Sequence, residues 1–105
     1  MFYSGLMPPE PPYCPPVVGM ASGPVGHLLC WDRHERDGSW WAWVSWVQET
    51  SSRPVHKLVC VPAASLTQLE PPDAYRQVPR RVFGRDGRVR PWSRAAAPRT
   101  RPPVV

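Results

Sequence analysis

The sequence predicts a mainly-β fold, a small and strongly bent antiparallel sheet. Three short runs, residues 25–31, 39–47 and 55–61, are rich in β-branched and aromatic residues and contain no proline. Turn chemistry separates them: Asp37-Gly38 offers a residue that readily takes positive φ, and residues 48–54 form a polar connection. The helical candidate that follows, residues 63–69, is too short to stand alone and reads as a single helical or 3₁₀ turn.

Proline sets the outer boundaries. Residues 1–24 hold seven prolines, residues 25–70 hold two, and residues 71–105 hold seven. In the stretch from Met7 to Pro16 each proline lacks an N–H and pushes its predecessor toward extended geometry. Helix and central strand are excluded there, and polyproline II is the natural conformation, with PxxP spacing at Pro8/Pro11, Pro9/Pro12 and Pro12/Pro15. Residues 1–24 therefore read as a proline-rich disordered leader, and Met20, followed by Ala-Ser-Gly-Pro, offers a second start position. Residues 25–70 are the expected compact unit, closed by Pro71-Pro72. Residues 71–92 read as a linker and basic hairpin, with apolar pairs on both sides of a Gly84–Gly87 loop and Trp92 as anchor. Residues 93–105 read as a disordered Arg/Pro tail.

Charge divides as sharply as proline. The formal +5 splits into −3 over residues 1–75 and +8 over residues 76–105, which carry nine arginines and one acid, Asp86. No apolar run reaches the length of about 18 residues that a spanning helix needs, so no membrane partner is expected. Met1 to Glu10 lacks a basic start and an apolar centre, so no secretory signal is expected. Three cysteines without paired spacing fit a reducing compartment, and the expected location is cytoplasmic. Twelve of 13 basic residues are Arg, and Ile and Asn are absent, a codon bias that points to a high-GC genome.

Alternation divides the tryptophan run into two faces. Trp40, Ala42, Val44 and Trp46 share one, and the compact Ala42 and Val44 assign it to the core. Trp41, Trp43, Ser45 and Val47 share the other. A second layer such as the basic hairpin either covers Trp41 and Trp43, or leaves them as a stacking platform for proline rings, bases or a cation.

Gly26, Cys30, the acidic loop from Asp32 to Asp37, the run Asp37-Gly38-x-Trp40-Trp41-x-Trp43-Val44 and the closing Val61-Pro62-Ala63-Ala64-Ser65-Leu66 resemble a small SH3-like barrel. The Asp-Gly-x-Trp-aromatic step is similar to Tudor-type domains, and the whole looks like small proteins of high-GC actinobacteria. The resemblance covers residues 25–70. It implies a peptide-binding or protein-binding surface centred on Trp40, with Trp41, Trp43 and the acidic-loop residues Glu35 and Asp37 beside it. SH3 domains usually carry a Tyr-rich strip at the start and a Tyr after the Pro, and this chain has neither. Residues 25–70 also lack the Tyr and Phe of a Tudor cage.

Candidate chemistry is sparse. His27, Cys30, His34, His56, Cys60 and Cys14 are possible zinc donors, but no CxxC knuckle is present, and 27 and 30 would face opposite sides of a regular strand. Cys30 and Cys60 lie in apolar runs, where a thiol is usually inert. The carboxylates beside Arg33 and Arg36 read as a solvated turn, and no Gly-rich phosphate loop opens a helix. No catalytic residue, metal or cofactor is expected, and the chain reads as non-enzymatic. Two functions remain. The first is an interaction or adaptor module that uses its aromatic surface, with the N-terminal proline segment as one ligand. The second is a small basic nucleic-acid-binding accessory protein that contacts DNA or RNA through Arg80, Arg81, Arg85, Arg88, Arg90 and Trp92.

Overall fold

Each of the three apolar runs becomes a strand in the computed structural model, which describes residues 14–91. The elements are β1 (Val17–Gly19), β2 (Val25–His34), β3 (Trp40–Gln48), β4 (Val55–Pro62), β5 (Thr67–Gln68), β6 (Arg80–Phe83) and β7 (Val89–Pro91), with 3₁₀ turns at Ala63–Ser65 and Pro72–Tyr75. The first 3₁₀ turn falls inside the stretch expected to form one, and β6 and β7 form the expected hairpin. The expectations for residues 1–13 and 92–105, including the polyproline stretch before Cys14, the Trp92 anchor and the tail, lie outside the described residues.

β2 is the centre of the sheet. Antiparallel β3 runs along one edge, followed by antiparallel β4. Two strands divide the other edge: β1 is antiparallel to its first residues, and β6 is parallel to it from Trp31 to His34. β5 extends the sheet from β1, and β7 extends it from β6. The protein is thus mainly β, as expected, but the sheet is not closed into a barrel. Closure requires the two outermost strands to meet. Here the sheet forks at the far edge of β2, and among the described residues neither branch returns to pair with β4.

The sheet also reaches beyond the expected 25–70 core on both sides. β1 comes from the segment read as a leader, and its Val18 is fully buried. Pro15 and Pro16 delay the strand only until Val17, while the Pro16 carbonyl already accepts the Leu28 N–H at 2.8 Å. Pro71-Pro72 does not end the compact region, because Tyr75 and Val78 are buried core residues. The Tyr75 hydroxyl donates to the Val17 carbonyl at 2.6 Å and accepts the N–H groups of Leu69 and Glu70 at 3.0 and 3.1 Å. One phenol therefore ties the second 3₁₀ turn to β1 and to the chain leaving β5.

The face assignment along β3 is observed. Trp40, Ala42 and Val44 are buried in the core, with Trp46 packed against it. A β-bulge at Leu29 breaks the alternation of β2, so that Leu28 pairs with Val44 and Trp31 with Ala42 on the inner face. The bulge lets β2 deliver both Leu28 and Trp31, each fully buried, to one core. Gly26 lies opposite Trp46, where a Cβ would come within 2.4 Å of Val44 Cγ1 and 2.8 Å of the Ser45 carbonyl. Only a residue without a side chain lets the strands meet there.

A chain beginning at Met20 would lack β1 and leave the site of Val18 vacant. Such a chain should unfold at lower urea concentration by at least about 2 kcal/mol, the burial of one Val side chain alone. Removing only residues 1–13, which retains β1, should cost much less than that. Equal midpoints for the two truncations would contradict a structural role for β1.

Candidate functional site

The strand register sorts the outer face into rows. Cys30 of β2, Trp43 of β3 and Cys60 of β4 form one. Asp32, Trp41 and Pro62 form the next, extended through β6 and β7 by Arg81 and Pro91. His34, Phe83 and Val89 form a third.

A buried carboxylate organises this face. Asp32 Oδ1 accepts Arg81 Nε at 2.8 Å, and Oδ2 accepts Arg81 Nη2 at 3.0 Å and Trp43 Nε1 at 2.9 Å. The Cys30 thiol donates to Oδ1 at 3.8 Å. The side chains of Arg81 and Asp32 are 13% and 5% exposed. Desolvation is the largest single influence on Arg81 and works against its charge, but the Asp32 hydrogen bonds, together with the electrostatic effect of Cys30, Asp32 and Cys60, outweigh it and raise its pKa. Burial, and after it the Asp32 charge, pushes the Cys30 thiol from its ordinary 9.0 up to about 12. Asp32 is therefore a strand residue with a structural partner, not a member of a solvated acidic loop.

Neither proposed contact surface assembles as the sequence predicts. Trp40, the centre of the SH3-like reading, is buried in the core because it is on the same face as Ala42. Trp41 and Trp43 are half-buried on the outer face. Trp41 stacks on His34 with centroids 5.1 Å apart and an 11° interplanar angle, and its Nε1 donates to Ser39 Oγ at 2.9 Å. Glu35 lies 3.9 Å from Arg90, and Asp37 turns inward to accept the hydroxyl and N–H of Ser39 at 2.6 and 3.0 Å.

On the basic side, Arg81 is bound to Asp32, and Arg80 lies half-buried beside Trp31 on the inner face. Arg90 pairs with Asp86 at 2.8 Å. Arg85 and Arg88 are exposed, and Trp92 lies outside the described residues. The zinc geometry also changes. The bulge at Leu29 places His27 and Cys30 on the same face, while β3 separates them from His56 and Cys60 on β4. Among the described residues no group of three or more His, Cys, Asp or Glu side chains could hold a metal ion.

Two features were missed. Because β2 and β6 are parallel, the β2–β3 and β6–β7 turns lie at the same end of the sheet, and both read Arg-Asp-Gly: Arg36-Asp37-Gly38 and Arg85-Asp86-Gly87. In each, the Asp carboxylate accepts the N–H two residues later, from Ser39 at 3.0 Å and Arg88 at 3.1 Å, and the Gly takes φ of 72° or 79°. These bonds hold both carboxyls below their ordinary range: the Ser39 hydroxyl and N–H act on Asp37, and the Arg88 N–H acts on Asp86. A cleft of about 280 Å³ between the turns is lined by His34, Arg36, Phe83, Gly84, Arg85 and Gly87.

At the opposite end of the outer face, Val25, His27, Ser45, Trp46, Val47 and His56 line a groove of about 390 Å³, where Val25 and Val47 are 55% and 44% exposed. The Pro15 carbonyl meets His27 Nδ1 at 3.0 Å beside this groove. Beyond Trp31 the edge of β2 belongs to β6.

No family model, no curated protein and no solved structure matches this chain. Among the described residues, no helix is long and apolar enough to cross a membrane.

Replacing Arg81 with Met should cost about 3 kcal/mol in urea unfolding, because it leaves the Asp32 carboxylate buried without its counter-ion. Pairing that change with Asp32→Leu should recover most of the loss. A loss no larger for the single variant than for the double would show that the pair does not organise the face. The Cys30 thiol predicts a second effect. Its folded pKa is raised, so its contribution to stability is full below pH 9 and declines as pH rises toward 12. Urea midpoints between pH 8 and 11 should fall more steeply for the native protein than for Cys30→Ala. At pH 8 an aromatic disulfide reagent should spare Cys30 until denaturant is added.

Proposed function

We propose that this protein is a non-enzymatic interaction module that binds a proline-rich peptide or protein segment on the outer face of its sheet. The observation that carries the reading is the fixation of two half-buried tryptophans on that face. Trp43 is held by its Nε1 bond to Asp32, and Trp41 by its Ser39 bond and its stack on His34. Rings already fixed in place lose little side-chain entropy on binding, and aromatic faces are the usual platform for proline rings in polyproline II geometry. The contact set is Trp41, Trp43 and Pro62, continuing into the groove at Val25 and Val47. Trp40 passes from contact residue to core residue in this reading. The chain's own residues 7–16 are the first ligand to test, within one chain or between two, because the chain leaves Pro15 beside the same face.

The test uses protein lacking residues 1–13, which retains β1, titrated with a synthetic peptide of residues 7–16. Tryptophan fluorescence should change saturably, and Trp41→Ala should weaken the effect at least tenfold. The truncation should also alter the fluorescence or the oligomeric state of the full chain. No saturable change up to millimolar peptide, together with no effect of truncation, would sink the assignment of residues 7–16 as ligand.

A further inference from the structure

The cleft between the twin turns has a composition of its own. Its lining includes the His34 and Phe83 rings, with centroids 5.1 Å apart and tilted by 35°, and Trp41 stacks on the imidazole. Its rim carries Arg36 and Arg85, one from each Arg-Asp-Gly turn, and both are exposed. Neither guanidinium forms an ion pair among the described residues. The carboxylates that would neutralise them are otherwise engaged. Asp37 is drawn back onto Ser39, and Asp86 is held by the Arg88 N–H and by Arg90. Arg90 also faces Glu35 at 3.9 Å, so one cation serves the acids of both turns. The result is two exposed guanidinium side chains, without an ion pair among the described residues, lining a cleft together with two aromatic rings.

Guanidinium forks match phosphate oxygens in geometry and charge, and an aromatic ring offers a base a stacking surface of any sequence. The volume, about 280 Å³, is near the lower limit of small-ligand clefts, so it suits one unit and not a folded strand. We infer that this cleft is a nucleotide-binding site, with the phosphate held between Arg36 and Arg85 and the base laid against Phe83. The site adjoins the proline-binding surface proposed above through the stack of Trp41 on His34, but its ligand contacts, Arg36, Arg85 and Phe83, are different residues. It draws on two residues, His34 and Arg36, that lie outside the basic segment from Arg80 to Trp92.

The phosphate-bearing unit is either a free nucleotide or the terminal unit of a single strand, and the experiment separates the two. The full chain is titrated at physiological salt with adenosine 5′-monophosphate, adenosine, inorganic phosphate and a 5′-phosphorylated ten-residue thymidine oligonucleotide, by calorimetry. The native protein, an Arg36→Ala/Arg85→Ala variant and Phe83→Leu are compared, with thermal midpoints recorded for each. The monophosphate should bind, and the double Arg variant should weaken it at least tenfold at an unchanged midpoint. Phe83→Leu should weaken the monophosphate and leave any phosphate binding as it was. Binding confined to the oligonucleotide and lost in the double Arg variant supports the same site with a strand end as its source. Absence of binding by both monophosphate and oligonucleotide would overturn the inference. So would binding insensitive to the double Arg variant, which would assign the affinity to other arginines. Equal binding of phosphate and monophosphate would remove the base from the proposal and overturn it as a nucleotide site. If Phe83→Leu fails to fold, the two exposed Arg changes still decide the outcome.

Discussion

A carboxylate removed from water needs several donors, and the arrangement of this sheet follows from how Asp32 obtains them. Its two oxygens take two bonds from Arg81, one from Trp43 and a longer one from the Cys30 thiol. Those donors come from three strands. Trp43 is delivered by the antiparallel partner on one side, Arg81 by the parallel partner on the other, and Cys30 by β2 itself. Removing the charge of β6 would leave its adjacent anion without compensation in a poorly hydrated environment, a far larger penalty than the loss of an exposed pair. The parallel placement of β6 in turn sets the two Arg-Asp-Gly turns at one end. The geometry at the sheet end and the rotamer of Trp43 in its middle thus depend on one ionised group.

The two faces of the sheet do different work. The inner face is apolar apart from Arg80 and Arg33 at its β6 side and contains the bulk of the packing: Trp31, Leu28, Val44 and Val18 against Tyr75. The outer face is amphipathic. It grades from exposed valines at one end, through tryptophans with fixed edges, to guanidiniums at the other.

Local pattern was legible in the sequence wherever neighbours in the chain are neighbours in space. The β2–β3 hairpin, the division of the tryptophan run into Trp40/Ala42/Val44 and Trp41/Trp43, and the 3₁₀ turn after Pro62 all follow from alternation and turn residues. The extent of β2 was also recoverable. Any short turn ending at Gly38 places Asp32 inside the ladder opposite a tryptophan, although the observed four-residue connection from Glu35 to Gly38 selects Trp41 where a two-residue turn would select Trp43. The assignment of Asp32 to a solvated loop came from its charge alone. Other features had no local signature. Nothing near Val17 announces a strand, because its partners are the start of β2 and Thr67–Gln68. The single-residue bulge at Leu29 inverts the expected faces of His27 and Cys30 without a glycine or proline to mark it. Most of all, the pairing of Arg81 with Asp32 converts an arginine read as a nucleic-acid contact into a fixed counter-ion. Only the fold could reveal it.

Asp32 and Arg81 are 49 residues apart in the chain. The β2–β3–β4 meander closes short loops, whereas the β2–β6 ladder must restrict a long segment before it gains its first contact. Assembly should therefore proceed outward from the meander, with β6 among the later arrivals. Until residues 80–83 have been synthesised and docked, the Asp32 carboxylate remains hydrated, and the second edge of β2 beyond Trp31 stays open to any passing strand. The segment that completes the polar network also protects that edge from intermolecular pairing. A nascent chain interrupted before Arg80 would have most of its hydrophobic core and no such protection. Its vulnerability would be to aggregation, more than to simple loss of fold.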